Sequence, residues 1–95
     1  MFEELDPLLH SQLRLAIMSV LISVESAEFN HLLDQTGATR GNLSVQIAKL
    51  SEAGYLKVEK SFRKNYPLTT CRITPAGVEA FEKYVTALKG YLNQD

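Results

Sequence analysis

The chain has 95 residues, of which 45% are hydrophobic and 22% charged, the make-up of one small globular domain and not of a disordered tail. Its longest apolar run, Ala16 to Val24, is interrupted by Ser19 and Ser23 and falls well short of the roughly 20 residues of a membrane span. The acidic start Met1-Phe2-Glu3-Glu4 is unlike a secretory leader, so a cytoplasmic protein with no membrane contact is expected.

The first helix is expected over residues 6–24, with Asp6 as N-cap and Pro7 at the first helical position, where its missing N–H costs nothing. Leu9, Leu13, Ala16, Ile17, Val20, Leu21 and Val24 recur at helical spacing and give it a broad apolar stripe. Residues 25–29 suffice for an extended connection or a small strand. Asn30 caps a second helix, about residues 31–36, which buries Leu32 and Leu33 and stops at Gly37 in a left-handed conformation. Thr39 caps a third helix from Arg40 to about Ala53, ended by Gly54, so that residues 30–53 form a helix-turn-helix. A wing follows over residues 55–73: a half-buried strand from Tyr55 to Lys60, a tip from Phe62 to Pro67, and a returning strand from Thr69 to Ile73. Phe62 and Tyr66 are expected to pin this hairpin, and His10 and His31 to lie at the surface. Thr74-Pro75 opens a last helix over residues 75–92. The fold class is therefore mainly α with a small β-hairpin: a single winged helix-turn-helix domain over residues 1–95, with an added C-terminal helix for dimerisation.

That last helix carries Val78, Phe81, Val85, Leu88 and Leu92 as a seam at alternating steps of three and four, flanked by Tyr84, Ala87 and Tyr91. A monomer of this size has too little surface to cover both rows as well as the first helix. A homodimer is expected, with Val78, Phe81, Tyr84, Val85, Leu88, Tyr91 and Leu92 at its interface. The alternative is that the helix folds back on its own core.

The net charge of −1 is unevenly spread. Between Thr39 and Arg72 stand seven basic residues (Arg40, Lys49, Lys57, Lys60, Arg63, Lys64 and Arg72) against Glu52 and Glu59, a net of +5, while the remainder carries −6. One surface is thus suited to phosphates and another to protein. On the third helix Leu43, Ile47 and Leu50 mark the buried face. With Leu43 at zero, Asn42, Val45 and Lys49 project to roughly 260°, 200° and 240°, away from the core. Gly41 and Ala48 add small side chains there, so that face can lie deep in a DNA major groove, where Val45 suits a thymine methyl. Partial burial at the core edge is the other reading of Val45.

The stretch from Gly37 to Val58, with its Thr39-to-Ser44 start and its Leu50-to-Leu56 ending, and the wing return from Thr69 to Gly77, resemble the compact winged-helix transcriptional regulators related to the MarR and ArsR groups. The resemblance spans roughly residues 8–90. It implies dimers that place their third helices in successive major grooves, with wings on the adjacent minor groove or backbone. The base-contacting positions it implies are Arg40, Asn42, Ser44, Val45, Gln46 and Lys49. Relatives often carry a basic or polar residue at the position of Val45, and ArsR-type proteins often carry His at that of Gln46. The operator sequence is therefore not transferable. The Cys and His pairs of metal-sensing ArsR proteins are missing, so metal sensing does not come with the fold.

Arg40, at the start of the third helix, is suited to a phosphate or a guanine, Gln46 to adenine, and Lys49 to a phosphate. Thr39 can offer its hydroxyl to the DNA backbone besides capping. Lys60, Arg63, Lys64 and Arg72 supply charge on the wing. A lone Cys71 excludes an internal disulfide, and with two histidines no thiolate-rich zinc site can form. No metal or cofactor is expected. Cys71 reads as a packed strand thiol, with redox sensing as the alternative. The functional expectation is a homodimeric double-stranded-DNA-binding regulator, a repressor in preference to an activator, answering to an unknown effector or protein partner. The alternative is a winged helix used as a protein-interaction module, because fold does not fix function. RNA is a weaker target, since its A-form major groove is too narrow for the helix. An enzyme is not expected: there is no Ser/His/Asp set, phosphate-cradling Gly loop or metal cluster.

Overall fold

In a computed structural model that describes residues 2–93, the Asp6-Pro7 pair does not open a helix. Helix α1 runs Gln12–Val24 and not from residue 6. The Asp6 carboxylate instead accepts the Leu8 N–H at 2.9 Å through Oδ1 and the Tyr55 phenol at 2.5 Å through Oδ2. The Leu9 and His10 N–H groups both donate to the Asp6 carbonyl. An aspartate that bonds the backbone two residues on closes a turn, and here that turn competes successfully with the helix the same residue could have capped. The turn carries Leu9 into the core, where it is fully buried. Met1, Gln94 and Asp95, part of the expected 1–95 domain, lie outside the described residues.

After α1 comes a short strand β1, Ser26–Glu28, so the connection expected at residues 25–29 is a strand. Helix α2, Phe29–Thr36, starts directly from Glu28, and Asn30 therefore lies inside it and is not its cap. Gly37 ends it at φ 69°, in the left-handed region where a Cβ is unfavourable. Helix α3 is Arg40–Glu52, capped as expected by Thr39, whose Oγ1 accepts the Asn42 N–H at 3.2 Å. Strands β2, Leu56–Arg63, and β3, Tyr66–Ile73, run further out than the expected tip, leaving Lys64 and Asn65 as a two-residue turn. Both turn residues have positive φ (50° and 69°), the conformation that matches the right-handed twist of a hairpin.

The sheet is antiparallel in the order β1-β3-β2, so the hairpin gains a third strand through pairs such as Ala27 with Cys71. Helix α4, Pro75–Leu92, begins at Thr74, whose Oγ1 accepts the Gly77 N–H at 3.0 Å. The centre of the fold holds Leu9, Ile17, Met18, Leu21, Leu32, Leu43, Leu50 and Cys71, all with no exposed surface. Their burial against one another is the main force orienting α3 and the wing.

α4 turns toward this core the row that flanks the seam, and not the seam itself. Gly77, Tyr84 and Ala87 are its buried residues, while Val78, Phe81, Val85 and Leu88 are half-buried. Small residues let the helix approach the body closely, so the row containing Gly77 and Ala87 goes inward. Tyr84, expected at a dimer interface, is 4% exposed and hydrogen-bonded to His10 Nδ1 at 2.9 Å. The protein is elongated, 56 Å by 25 Å by 21 Å, with a radius of gyration of 14.4 Å. A compact chain of this length reaches about 12 Å.

Candidate nucleic-acid interface

Leu43, Ile47 and Leu50 anchor α3 in the core, and their spacing turns the opposite face to solvent. Arg40, Gly41, Asn42, Ser44, Val45, Ala48 and Lys49 are all exposed. Val45 is 52% exposed, outside the buried core. The Arg40 guanidinium lies 5.8 Å from the centre of the Phe29 ring and donates to Asn30 Oδ1 at 3.1 Å. α2 thereby holds that cation at the start of α3, beside amides whose partial positive charge favours an anion. Thr39 is exposed as well as capping.

Gln46 departs from its expected role. It is half-buried, its Oε1 accepts from Arg14 Nη1 at 2.5 Å, and its Nε2 donates to Asn42 Oδ1 at 3.0 Å. Both ends of the amide are engaged within the protein, so only its second N–H and second lone pair remain for a base. Arg14 is the residue that sequence reasoning missed. It is the only charged residue between Pro7 and Val24, and a lone charge in an apolar helix signals a partner elsewhere.

Alternation along the wing sorts its cations onto two faces. Val58 and Lys60 share a cleft with Arg40, Ser44 and Ala48, on the α3 side of the sheet. Arg63 lies on the other side, in a hollow with Val24, His31 and Thr70. Arg63 pairs with Glu28 at 2.7 Å, and Arg72 with Glu59 at 3.3 Å. Arg63 and Arg72 were both expected to face DNA, but each shares its charge with a carboxylate, on the strand face away from Lys60. Lys64 sits at the turn, its charge at the tip. Phe62 and Tyr66 do not pin the hairpin: they are 77% and 73% exposed.

Residues 13–92 match the family model described as "Winged helix DNA-binding domain". The chain belongs to this winged-helix DNA-binding family. It is 36% identical over 76 residues to an uncharacterized protein of Methanocaldococcus jannaschii, an overlap covering 80% of this chain and 83% of that one. The transcriptional regulator homologue from Pyrococcus horikoshii OT3 is 29% identical, with a TM-score of 0.84 over 90% of this chain and 84% of that chain. NadR, solved in complex with 4-hydroxyphenylacetate, shares the fold at a TM-score of 0.69 and 19% identity, over 90% of this chain and 63% of its own. The winged helix is thus a DNA-binding regulator homologue and not an enzyme, in agreement with the sequence reading.

Among the described residues, Cys71 and Tyr55 are displaced from their ordinary range. Burial pushes the Cys71 thiol up to about 11, which keeps it protonated and unreactive at neutral pH. The hydrogen bond to Asp6, followed by burial and the aspartate's charge, pushes the Tyr55 phenol up to about 12. Among the described residues no group of His, Cys, Asp and Glu could hold a metal ion, and no helix is long and apolar enough to cross a membrane.

Proposed function

We propose that this winged helix is a sequence-specific, homodimeric transcriptional repressor that reads double-stranded DNA with α3. The observation that carries the reading is the face of α3 itself. Asn42, Ser44, Val45 and Lys49 are exposed together beside Arg40, with small Gly41 and Ala48 between them. A face built for solvation alone has no use for a half-exposed valine, whereas a major groove offers it a thymine methyl. Arg40 and Lys49 take phosphates or guanine, and Thr39 and Ser44 give hydroxyls to the backbone. Lys60 and Lys64 bring the α3 side and tip of the wing to an adjacent minor groove or to phosphates. Arg63 and Arg72 contribute less, because Glu28 and Glu59 share their charge.

Dimerisation through α4 is supported by the half-covered Val78, Phe81, Val85 and Leu88, by Leu92 at 73% exposed, and by the elongated body. Tyr91 stands at the edge of that surface, its ring stacked on Phe2 at 4.8 Å. A two-fold pair of α3 helices then meets half-sites one DNA turn apart. Repression follows because occupying a promoter is sufficient to block it.

Selection from random duplex DNA at about 150 mM salt, where non-specific binding is weak, tests this reading. Enrichment of an inverted repeat with half-sites about 10 bp apart is expected. Folded protein that enriches no sequence would overturn it in favour of a protein-interaction module.

A further inference from the structure

We propose that Arg14 is a positioning residue that decides which base edge Asn42 reads, by fixing the orientation of two side-chain amides on α3. The proposal rests on the major-groove reading above. The Tyr55 phenol and the Leu8 N–H hold the Asp6 carboxylate, and the Leu8 carbonyl accepts from Arg14 Nε at 2.6 Å. Arg14 Nη1 donates to Gln46 Oε1 at 2.5 Å, and Gln46 Nε2 donates to Asn42 Oδ1 at 3.0 Å. The N-terminal turn is thus tied to the exposed face of α3 by a continuous run of hydrogen bonds.

The run has a direction. A guanidinium has only donors, so Gln46 must turn its oxygen toward Arg14. Its NH2 group then points at Asn42, and Asn42 must turn its own oxygen inward. The Asn42 Nδ2 group, with no partner among the described residues, is left facing solvent. An unconstrained Asn can turn both its oxygen and its NH2 to a base, the acceptor and donor that adenine requires. Turning the Asn42 oxygen to the groove while keeping its bond to Gln46 would require Gln46 to flip as well, setting its NH2 against a cation that has no carboxylate partner among the described residues. Charge-assisted hydrogen bonds are about twice as strong as neutral ones, so the polarity is held. Asn42 therefore enters the groove as a donor, matched to guanine, which offers two acceptors at N7 and O6.

The test is random-duplex selection with the wild type, Asn42→Ala, Arg14→Met and Gln46→Glu. Asn42→Ala identifies the base position that Asn42 reads, as the one whose preference disappears. At that position the wild type is expected to favour guanine over adenine. Arg14→Met should reduce this preference by about fivefold or more, the low end of what a bidentate pair gives, without changing the salt slope or the rest of the site. Gln46→Glu keeps the bond to Arg14 but accepts from Asn42, which turns the asparagine oxygen outward and moves the preference toward adenine or cytosine. A wild-type preference for adenine at this position would refute the proposal. So would an unchanged preference in Gln46→Glu or in folded Arg14→Met. Should the wild type select no sequence at all, the major-groove reading fails first, which is a separate and recognisable result.

Discussion

Gly77 is the position where one methyl group should do the most damage. A Cβ built there would sit 2.0 Å from the Tyr55 carbonyl oxygen, 2.9 Å from its carbon and 3.0 Å from Ile73 Cγ1. Two of those atoms are backbone, so no side chain can swing away. α4 would have to move by more than an ångström to reach ordinary van der Waals distance. That movement pulls on the helix anchors, Thr74 N–H to Tyr55 O at 3.1 Å and Thr74 Oγ1 to Gly54 O at 2.6 Å. Overpacking a rigid site costs about 1–3 kcal/mol and losing one hydrogen bond about 1 kcal/mol more. The better helix propensity of alanine returns about 1 kcal/mol. Gly77→Ala is therefore expected to destabilise by about 1–3 kcal/mol, lowering Tm by roughly 5–20 °C for a domain of this size. Gly90 is the internal control, being in the same helix with nothing within 4 Å of its built Cβ. Gly90→Ala should raise stability by up to about 1 kcal/mol. Urea unfolding of both variants at one protein concentration reads the difference. A Gly77→Ala protein as stable as Gly90→Ala would refute the close docking of α4 against Tyr55.

Arg40→Ala combined with Lys49→Ala should lower affinity for a selected operator by about a hundredfold while retaining the circular dichroism spectrum and oligomeric state. Unchanged affinity would remove α3 as the reading element. In DNA titrations across salt, Lys60→Ala with Lys64→Ala should reduce the slope of log affinity against log salt by about 0.9 for each phosphate left without its cation. Arg63→Ala with Arg72→Ala should reduce it less, and equal reductions would contradict the sorting of charges by wing face. Cys71 has its thiol raised from 9.0 to about 11, so the stability tied to its protonated form is complete below pH 9 and lost as pH rises through 11. Thermal melts of the wild type should fall across that window more steeply than those of Cys71→Ala. Labelling by a thiol reagent at pH 8 should be no faster than unfolding, and rapid labelling of folded protein would restore the redox-sensing alternative.

The parts of this protein that could be read from the residues are those governed by short-range rules. Thr39 and Thr74 cap their helices because a hydroxyl in that position reaches an N–H two or three residues on. Gly37 and Gly54 stop α2 and α3 at positive φ, where side chains are unfavourable. The step of Leu43, Ile47 and Leu50 alone determined which face of α3 is free, because helical periodicity leaves no choice. The same rules failed at Asp6, whose local signals serve a helix cap and a turn equally well. Tyr55, distant in sequence, decided between them.

Side-chain partners are where the sequence had no further say. Whether Gln46 faces DNA or Arg14, and whether Arg63 is a free cation or the partner of Glu28, depends on which helix or strand lands beside it. Composition counts both arginines of the wing as positive, but only the register of β1 on β3 brings Glu28 within reach of Arg63. On α4, heptad spacing identified a seam and a flanking row and assigned residues of both to a dimer interface. The close approach permitted by Gly77 and Ala87 turned Tyr84 inward and left Val78, Phe81, Val85 and Leu88 half-covered. Periodicity sets the face of a helix through its own backbone. The partner that face meets is set by the packing of the whole chain, because burial is non-directional and selects whichever surfaces fit most closely.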